Sequence, residues 1–286
     1  MNYKIITDSG CDLPAEMYAQ LGLEVVSLSV LYKGETYRTY SEQWLKELFD
    51  GLRNGESATT SAVNPEQWKD AIKPVLEQGS DALVLTFSSG LSATSQSAVI
   101  AAQELQEEYP QRTIRVVDTL CASLGQGLLV WYACKKRDEG MSLADLTAWC
   151  EEYRYKLCHW FTVDDLMYLK RGGRVSAATA LLGTMLQIKP VLHVDDEGHL
   201  INVSKARGRK ASIDALVTKM EQTQLPGEND TVFICHGDCM SDAEYLAAQV
   251  KEKLGVKDVF LYYVGAVIGS HSGPGTLALF FLGEHR

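Results

Sequence analysis

Short hydrophobic runs alternate along the chain with stretches of helical period, the pattern of an α/β fold. Tyr3–Thr7 reads as a strand closed by Asp8-Ser9-Gly10, and Asp12-Leu13-Pro14 opens a helix. Proline suits that place because a first-turn amide has no partner to lose. Leu23–Leu31 reads as a second strand, turned back at Lys33-Gly34 through Glu35–Arg38 as a hairpin. Ser41 and Asn64-Pro65 each mark a helix start. Ala82–Phe87 is a continuous apolar run bounded by turn residues, as a parallel strand buried on both faces requires. Thr94, Ala98, Ala101 and Leu105 then fall on one face of a helix. Ile114–Val117 is the next strand, and helical stretches over 123–138 and 142–157 follow.

Beyond that point the rhythm changes. His159–Val163 is strand-like, and Leu169–Arg174 reads as a basic turn. Lys189–Val194 and His199–Ala206 form a hairpin around Asp195–Gly198, and the end of the chain returns to strand–helix alternation up to Asp258–Val264. The expected architecture is therefore α/β in two domains. Residues 1–158 form a three-layer unit with a mainly parallel sheet, and residues 159–286 form a unit with a mixed sheet. Ligands of doubly wound sheets bind beyond the carboxyl ends of the strands, so the loops there are the place to look for chemistry.

Composition narrows the classes. The 286 residues suit two domains at roughly 100–200 residues each. Lys+Arg 27 against Asp+Glu 37 leaves a net charge of −10, which repels phosphate backbones and argues against general nucleic-acid binding. No apolar stretch approaches the ~20 residues of a membrane span, and no basic-then-apolar leader precedes Tyr3. The cysteines are odd in number and scattered from Cys11 to Cys239, unlike a disulfide framework. A cytoplasmic protein without an integral membrane segment is expected.

Three polar segments stand at strand ends or helix starts: Ala58–Ser61, Ser88–Thr94 and Gly269–Thr276. Hydroxyls, glycine-freed amides and helix N-termini are all donors, and donors converging on one crevice bind an anion. None of the three carries a fixed positive charge, so one carboxylate suits them better than a triphosphate. Each segment alone also suits simple capping and turning. The common enzyme templates fail. There is no P-loop, and Gly273–Ala278 has the G-x-G-x-x-A form but lacks room for the βα unit a dinucleotide needs. Gly269–Gly273 places His271 where a nucleophile elbow has serine. A hydrolase or acyltransferase using Ser92 or Ser270 with His271 is the alternative reading, although no orienting third group is evident. Cys235-His236-Gly237-Asp238-Cys239 is too short for a zinc site without a second ligand pair, so no metal is expected. The other histidines, His159 among them, read as packing residues, and Lys205–Lys210 as a solvated basic patch able to meet an acidic partner.

Taken in order, the motifs resemble the DegV family of bacterial fatty-acid-binding proteins. I-I-T-D-S-G-C-D-L-P at the start, T-T-S at 59–61, S-S-G-L-S-A-T at 88–94 and V-D-T at 117–119 match in type and order. L-K-R-G-G-R-V-S at 169–176 and H-S-G-P-G at 271–275 complete the likeness, which runs from residue 3 to about 280. Ala93 stands where glycine is more usual, and Ser61-Ala62-Val63 replaces Ser-Gln-Pro; neither change removes a hydroxyl the site needs. The resemblance implies a long-chain fatty acid as ligand, with no cofactor, its tail buried between or within two α/β domains. It also implies carboxylate contacts from Thr60 or Ser61, Ser92 and His271, supported by Gly90, Thr94 and Ser270. Arg171 and Arg174 fall near the family's portal or partner surface. A separate fatty acid kinase subunit would phosphorylate the presented carboxylate to an acyl phosphate. The fold is shared with dihydroxyacetone-kinase-like domains, but the three segments lack an acidic metal-binding cluster. Leu169, Leu181, Met185, Ile188 and Phe280 are candidates for the tail wall.

Overall fold

The computed structural model describes residues 3–176 and 187–286. Leu181 and Met185, proposed for the tail wall, lie outside the described residues.

Four strands, β1 (Tyr3–Asp8), β2 (Glu24–Val26), β6 (Asp81–Thr86) and β7 (Ile114–Asp118), form a parallel sheet in the order β2-β1-β6-β7. Helix α1 (Ala15–Leu21) links β1 to β2, and helices α3 (Pro65–Glu77) and α4 (Thr94–Glu108) pack against the strands. The α3 start is a complete capping box, with Asn64 Oδ1 accepting from the Gln67 amide and Gln67 Oε1 accepting from the Asn64 amide. Ala98, Ala101 and Leu105 bury the expected face of α4.

A small antiparallel sheet sits apart from this one: β3 (Ser29–Tyr32), β4 (Glu35–Tyr37) and β5 (Ala58–Ser61), in the order β4-β3-β5. The single strand expected over Leu23–Leu31 is thus two strands in different sheets. The physical reason lies at Leu28, whose amide donates to Ser9 Oγ at 3.0 Å instead of to a neighbouring strand. The polar segment 58–61 is accordingly a strand, not a loop.

The larger sheet is mixed: β8 (Leu157–Thr162), β9 (Ile188–Val194), β10 (Leu200–Arg207), β11 (Thr231–His236), β12 (Asp258–Tyr263) and β13 (Leu277–Leu282), in the order β10-β9-β8-β13-β11-β12. Only its β11–β12 pairing is parallel. Helices α8 (Arg209–Thr223) and α9 (Met240–Leu254) cover one face. The other face meets α5 (Ser123–Asp138), which is followed by α6 (Leu143–Tyr153). Strand β13 shows how the faces divide. Leu277, Leu279 and Phe281 join the core under α8 and α9, whereas Ala278, Phe280 and Leu282 join the core that runs through α5 to the parallel sheet. The period-2 alternation of strand side chains requires that division.

The basic segment after β8 opens as a short helix, α7 (Met167–Arg171), and only then turns; a second short helix, α10 (Ala266–Ser272), carries His271. Helix α10 packs against α7, β3, β5 and α2 (Glu42–Arg53). The small sheet of the N-terminal half is thereby brought beside the C-terminal histidine. Among the described residues, no helix is long and apolar enough to cross a membrane.

Candidate functional site

Where the two halves meet, a cavity of about 300 Å³ opens between loop 88–94, the mixed sheet and α10. Its walls are mostly apolar: Leu28, Phe87, Leu91, Phe161, Leu169, Val194, Leu200, Val267 and Phe280 all face it. Leu169 and Phe280 were expected in such a wall; Ile188 is not part of it.

At one end the lining turns polar. Thr60, Ser92, His271 and Arg174 converge there. Each is delivered by a different element, and the local reason can be traced. In β5, Thr60 and Ser61 point to opposite faces, as neighbours on a strand must. Thr60 therefore reaches the cavity, and its Oγ1 lies 2.7 Å from His271 Nε2. Ser61 is exposed, pairs across to Ser29 and lines no part of the cavity. Ser92 Oγ is held 2.8 Å from Thr94 Oγ1 and accepts the Thr94 amide at 3.3 Å. Thr94 is wholly buried and stands behind the site, where its carbonyl accepts from Trp68 Nε1. Gly90 lets the loop touch the 195–198 turn: a Cβ there would stand 2.7 Å from the Gly198 carbonyl oxygen. Ser88 Oγ donates to that same oxygen at 2.9 Å.

His271 is pressed against α7, where a Cβ on Gly172 would come within 2.2 Å of its Nδ1. Burial, aided by the Arg174 charge, lowers its pKa to about 4, so the ring is neutral at physiological pH. Ser270 does not reach the cavity. Its Oγ donates to the Ala266 carbonyl within the helix, and the residue borders an outer vestibule of about 370 Å³.

That vestibule shares Thr60, Arg174 and His271 with the inner cavity and adds Glu56, Thr59, Tyr168 and Arg171. Arg171 is exposed, with its guanidinium 4.6 Å from the centre of the Tyr168 ring. Arg174 differs from its expected place on a portal surface alone. It lines both spaces, so the polar end carries a positive charge that the three segments by themselves lack. Much of its donor capacity is already used: Nε and Nη2 donate to the Leu91 carbonyl at 3.2 and 3.0 Å, and Nη1 to that of Gly172. It biases the site towards an anion without offering a free bidentate fork.

The inner wall holds polar residues that sequence reasoning left as packing. His159 is buried; its Nδ1 donates to the Leu157 carbonyl and its Nε2 accepts from the Ala122 amide, so both ring nitrogens are satisfied. Burial drives its pKa far below the ordinary value, and the ring is neutral. Ser123 and Cys235 also face the cavity, their side chains 3.3 Å apart. No local motif marks them; they meet only because α5 crosses the mixed sheet.

Neither serine of the hydrolase reading is hydrogen-bonded to His271. Nε2 is engaged by Thr60, Ser92 by Thr94, and Ser270 by its own helix. The Cys235–Cys239 segment does not assemble a metal site either. His236 Nδ1 accepts the Cys239 amide, Cys239 Sγ donates to the Thr276 carbonyl, and among the described residues no group of three metal-ligating side chains converges. Arg209 of the basic patch is paired with Asp242 at 2.7 Å.

An apolar cavity beside a mixed sheet, ending in hydroxyls, a neutral histidine and Arg174, sits in an α/β protein of two sheet types. Comparison with known proteins places the chain: it belongs to the DegV family, whose model matches residues 2–284. A DegV domain-containing protein of Clostridium perfringens is 45% identical over 286 residues, 99% of this chain and 98% of that one. A DegV family protein from Thermus thermophilus, solved in a study of its fatty acid binding, superposes with a TM-score of 0.89 at 35% identity. That match covers 99% of this chain and all of the other. The fatty acid binding DegV family protein of Streptococcus agalactiae superposes with a TM-score of 0.86 at 29% identity, over the full length of both chains.

Proposed function

We propose that this protein is a cytoplasmic carrier that binds a long-chain fatty acid between its two lobes, residues 1–158 and 159–286. It presents the carboxylate to a separate kinase, which converts it to an acyl phosphate. The observation that carries this reading is the polarity of the cavity, apolar along its length and hydroxylic at the end that meets the vestibule. Fatty acid binding by the Thermus and Streptococcus relatives supports it.

The energetics suit a carrier. Each methylene taken from water contributes about 0.8 kcal/mol, so the tail supplies the affinity. The head needs only enough donors to offset desolvation of the carboxylate. Thr60, oriented by His271 Nε2, and Ser92 are neutral donors and leave the carboxylate oxygens nucleophilic. Arg174, tied to Leu91 and Gly172, keeps the acid ionised without clamping both oxygens. In the transfer, one carboxylate oxygen bonds to the γ-phosphorus of a nucleoside triphosphate on the kinase, and the diphosphate leaves. The vestibule, flanked by Arg171, is the approach open to that partner.

The test has two parts. Purified protein is extracted and the extract analysed by mass spectrometry, and delipidated protein is titrated with palmitate and oleate. The expected result is co-purified fatty acid and saturable one-to-one binding. Loaded protein mixed with a fatty acid kinase catalytic subunit and ATP then yields acyl phosphate, trapped as the hydroxamate. Failure to bind either acid overturns the carrier reading; binding without transfer overturns the kinase step alone.

A further inference from the structure

Ala122 and Ser123 line the inner cavity at the end of a strap, residues 119–123, that leads the chain from β7 into α5. The lining contributed by β13 shows which end of the cavity this is. It begins at Thr276, whose Oγ1 donates to the carbonyl of Gly273, two residues past His271. It continues through Ala278 to Phe280, about 13 Å further along the strand. Phe280 pairs with His159, the two rings edge-on with centroids 5.3 Å apart, and the Ala122 amide donates to His159 Nε2 at 3.2 Å. Ala122 therefore stands at the end remote from His271. Two residues of the strap, Leu120 at φ 52° and Ser123 at φ 55°, lie in the left-handed region, which a Cβ disfavours. Such a backbone persists only where its surroundings hold it.

The holding group at Leu120 is the guanidinium of Arg286. Its Nη1 donates to the Leu120 carbonyl at 2.7 Å and its Nη2 to Cys121 Sγ at 3.1 Å. The other N–H groups reach three further places. Nη1 donates to the Asp195 carbonyl in the β9–β10 turn at 3.0 Å, Nε to the Leu157 carbonyl of β8 at 3.2 Å, and Nη2 to the Arg154 carbonyl at the end of α6. All five donors of the planar group are thus matched. The acceptors are four carbonyls and a sulfur, so Arg286 acts through the geometry of its fork and not through a carboxylate partner. Lysine, with three donors on one nitrogen, cannot span the same places. At the other end of the strap, Ser123 Oγ donates to Asp12 Oδ2 at 2.6 Å. The strap is pinned at both ends, and Arg286 is the pin at Leu120.

We propose that Arg286 is a positioning residue for acyl-chain length: it fixes the strap as the stop against which the end of the tail rests. The inference rests on the carrier reading and adds to it the feature that limits the substrate. Ala122 offers only a methyl group to the cavity, so the stop is set by where the backbone lies and not by a long side chain. Without the guanidinium, Leu120 is free to leave the left-handed region, and the wall at Ala122 yields to a longer tail.

The delipidated full chain is loaded with the fluorescent fatty acid cis-parinarate, and laurate, palmitate, stearate, arachidate and behenate are titrated in to displace it. In wild type, affinity should climb by about fourfold per added methylene until the tail meets the strap. Beyond that length it should fall, leaving behenate at least about tenfold weaker than the best acid, because a filled core resists extra methylenes. The readout is the ratio of the behenate Kd to the Kd of the acid that wild type binds best. In Arg286→Ala, and in Arg286→Lys, which keeps the charge but not the fork, that ratio should shrink at least about fivefold. A purely structural role would weaken every acid by one common factor and leave the ratio unchanged. An unchanged ratio in either variant therefore overturns the proposal, as does a wild-type affinity that climbs without a break to behenate. Should Arg286→Ala fail to fold, Arg286→Lys decides alone. Wild type that binds none of the acids would instead overturn the carrier reading itself, so the two failures are distinguishable.

Discussion

The polar end of the cavity rests on side chains whose roles separate cleanly. Thr60 and His271 hold one another at 2.7 Å, and Ser92 is oriented by Thr94. Ser92→Ala removes a head-group donor and should weaken palmitate binding about tenfold, the size of one hydrogen bond to a charged group. Ser61→Ala should leave it unchanged, because Ser61 faces away. Titration calorimetry on the two variants checks both; equal losses would refute the facing assigned to β5. Gly172→Ala places a methyl where His271 Nδ1 now sits, so the ring must move and affinity should fall with the fold intact.

Protonation belongs to the same scale. Burial holds His193, His236 and His271 at about 4 and His159 well below its usual value, all neutral in the fold. Unfolded, each would take a proton below about pH 6.5. Stability from these groups is therefore present above that pH and lost as pH falls towards 4. Asp8 and Asp12, raised by burial to about 6 and 7, act in the opposite sense: the folded chain keeps protons that the unfolded one releases above about 4. Four histidines outweigh two carboxyls, so the urea midpoint should be lower at pH 5 than at pH 6.5. An unchanged or higher midpoint at pH 5 would contradict the neutral buried rings.

Among the elements, loop 88–94 matters most, because it joins a strand of the parallel sheet to the turn between β9 and β10. Its anchor is the close approach of Gly90 to Gly198, reinforced by Ser88. Gly90→Ala meets backbone oxygen on that side, which cannot give way as a side chain would. The substitution should lower the melting temperature and also weaken fatty acid binding, since Ser92 rides on the same loop. Melting by circular dichroism beside palmitate titration tests this; loss of stability with unchanged affinity would show that the anchor does not position Ser92. Element boundaries were legible in the sequence wherever a cap or an apolar run marked them, as at Asn64-Pro65 and Ala82–Phe87. They were illegible where a tertiary hydrogen bond intervened. The Leu28 amide leaves the ladder for Ser9, and no local pattern announces it.

At the scale of the whole molecule, one buried cluster runs from the parallel sheet through α5 to the inner face of the mixed sheet. The inner cavity interrupts that continuous core, so filling it should stabilise both halves together. Palmitate at about a hundred times its Kd should add about 2.7 kcal/mol, roughly 4–5 °C in Tm for a chain of this size. Differential scanning calorimetry should show a single transition moving up as one. Two transitions, with one unmoved, would mean that the cavity belongs to one half.

The alternation of strands and helices, the parallel and mixed character of the two larger sheets and the hydroxyl-bearing segments were determined by the sequence alone, whereas the small β4-β3-β5 sheet was not. Period, capping and turn chemistry are local properties, and each acts within a few residues. What the sequence could not determine was convergence. Thr60 rather than Ser61 faces the cavity because of the pairing of β5 with β3. Arg174 enters the polar end because α7 packs on α10. Ser123 reaches the cavity wall and bonds to Asp12 because α5 crosses from one sheet to the other. These are contacts between residues a hundred or more positions apart or between faces of a strand, and only packing of the whole chain selects them.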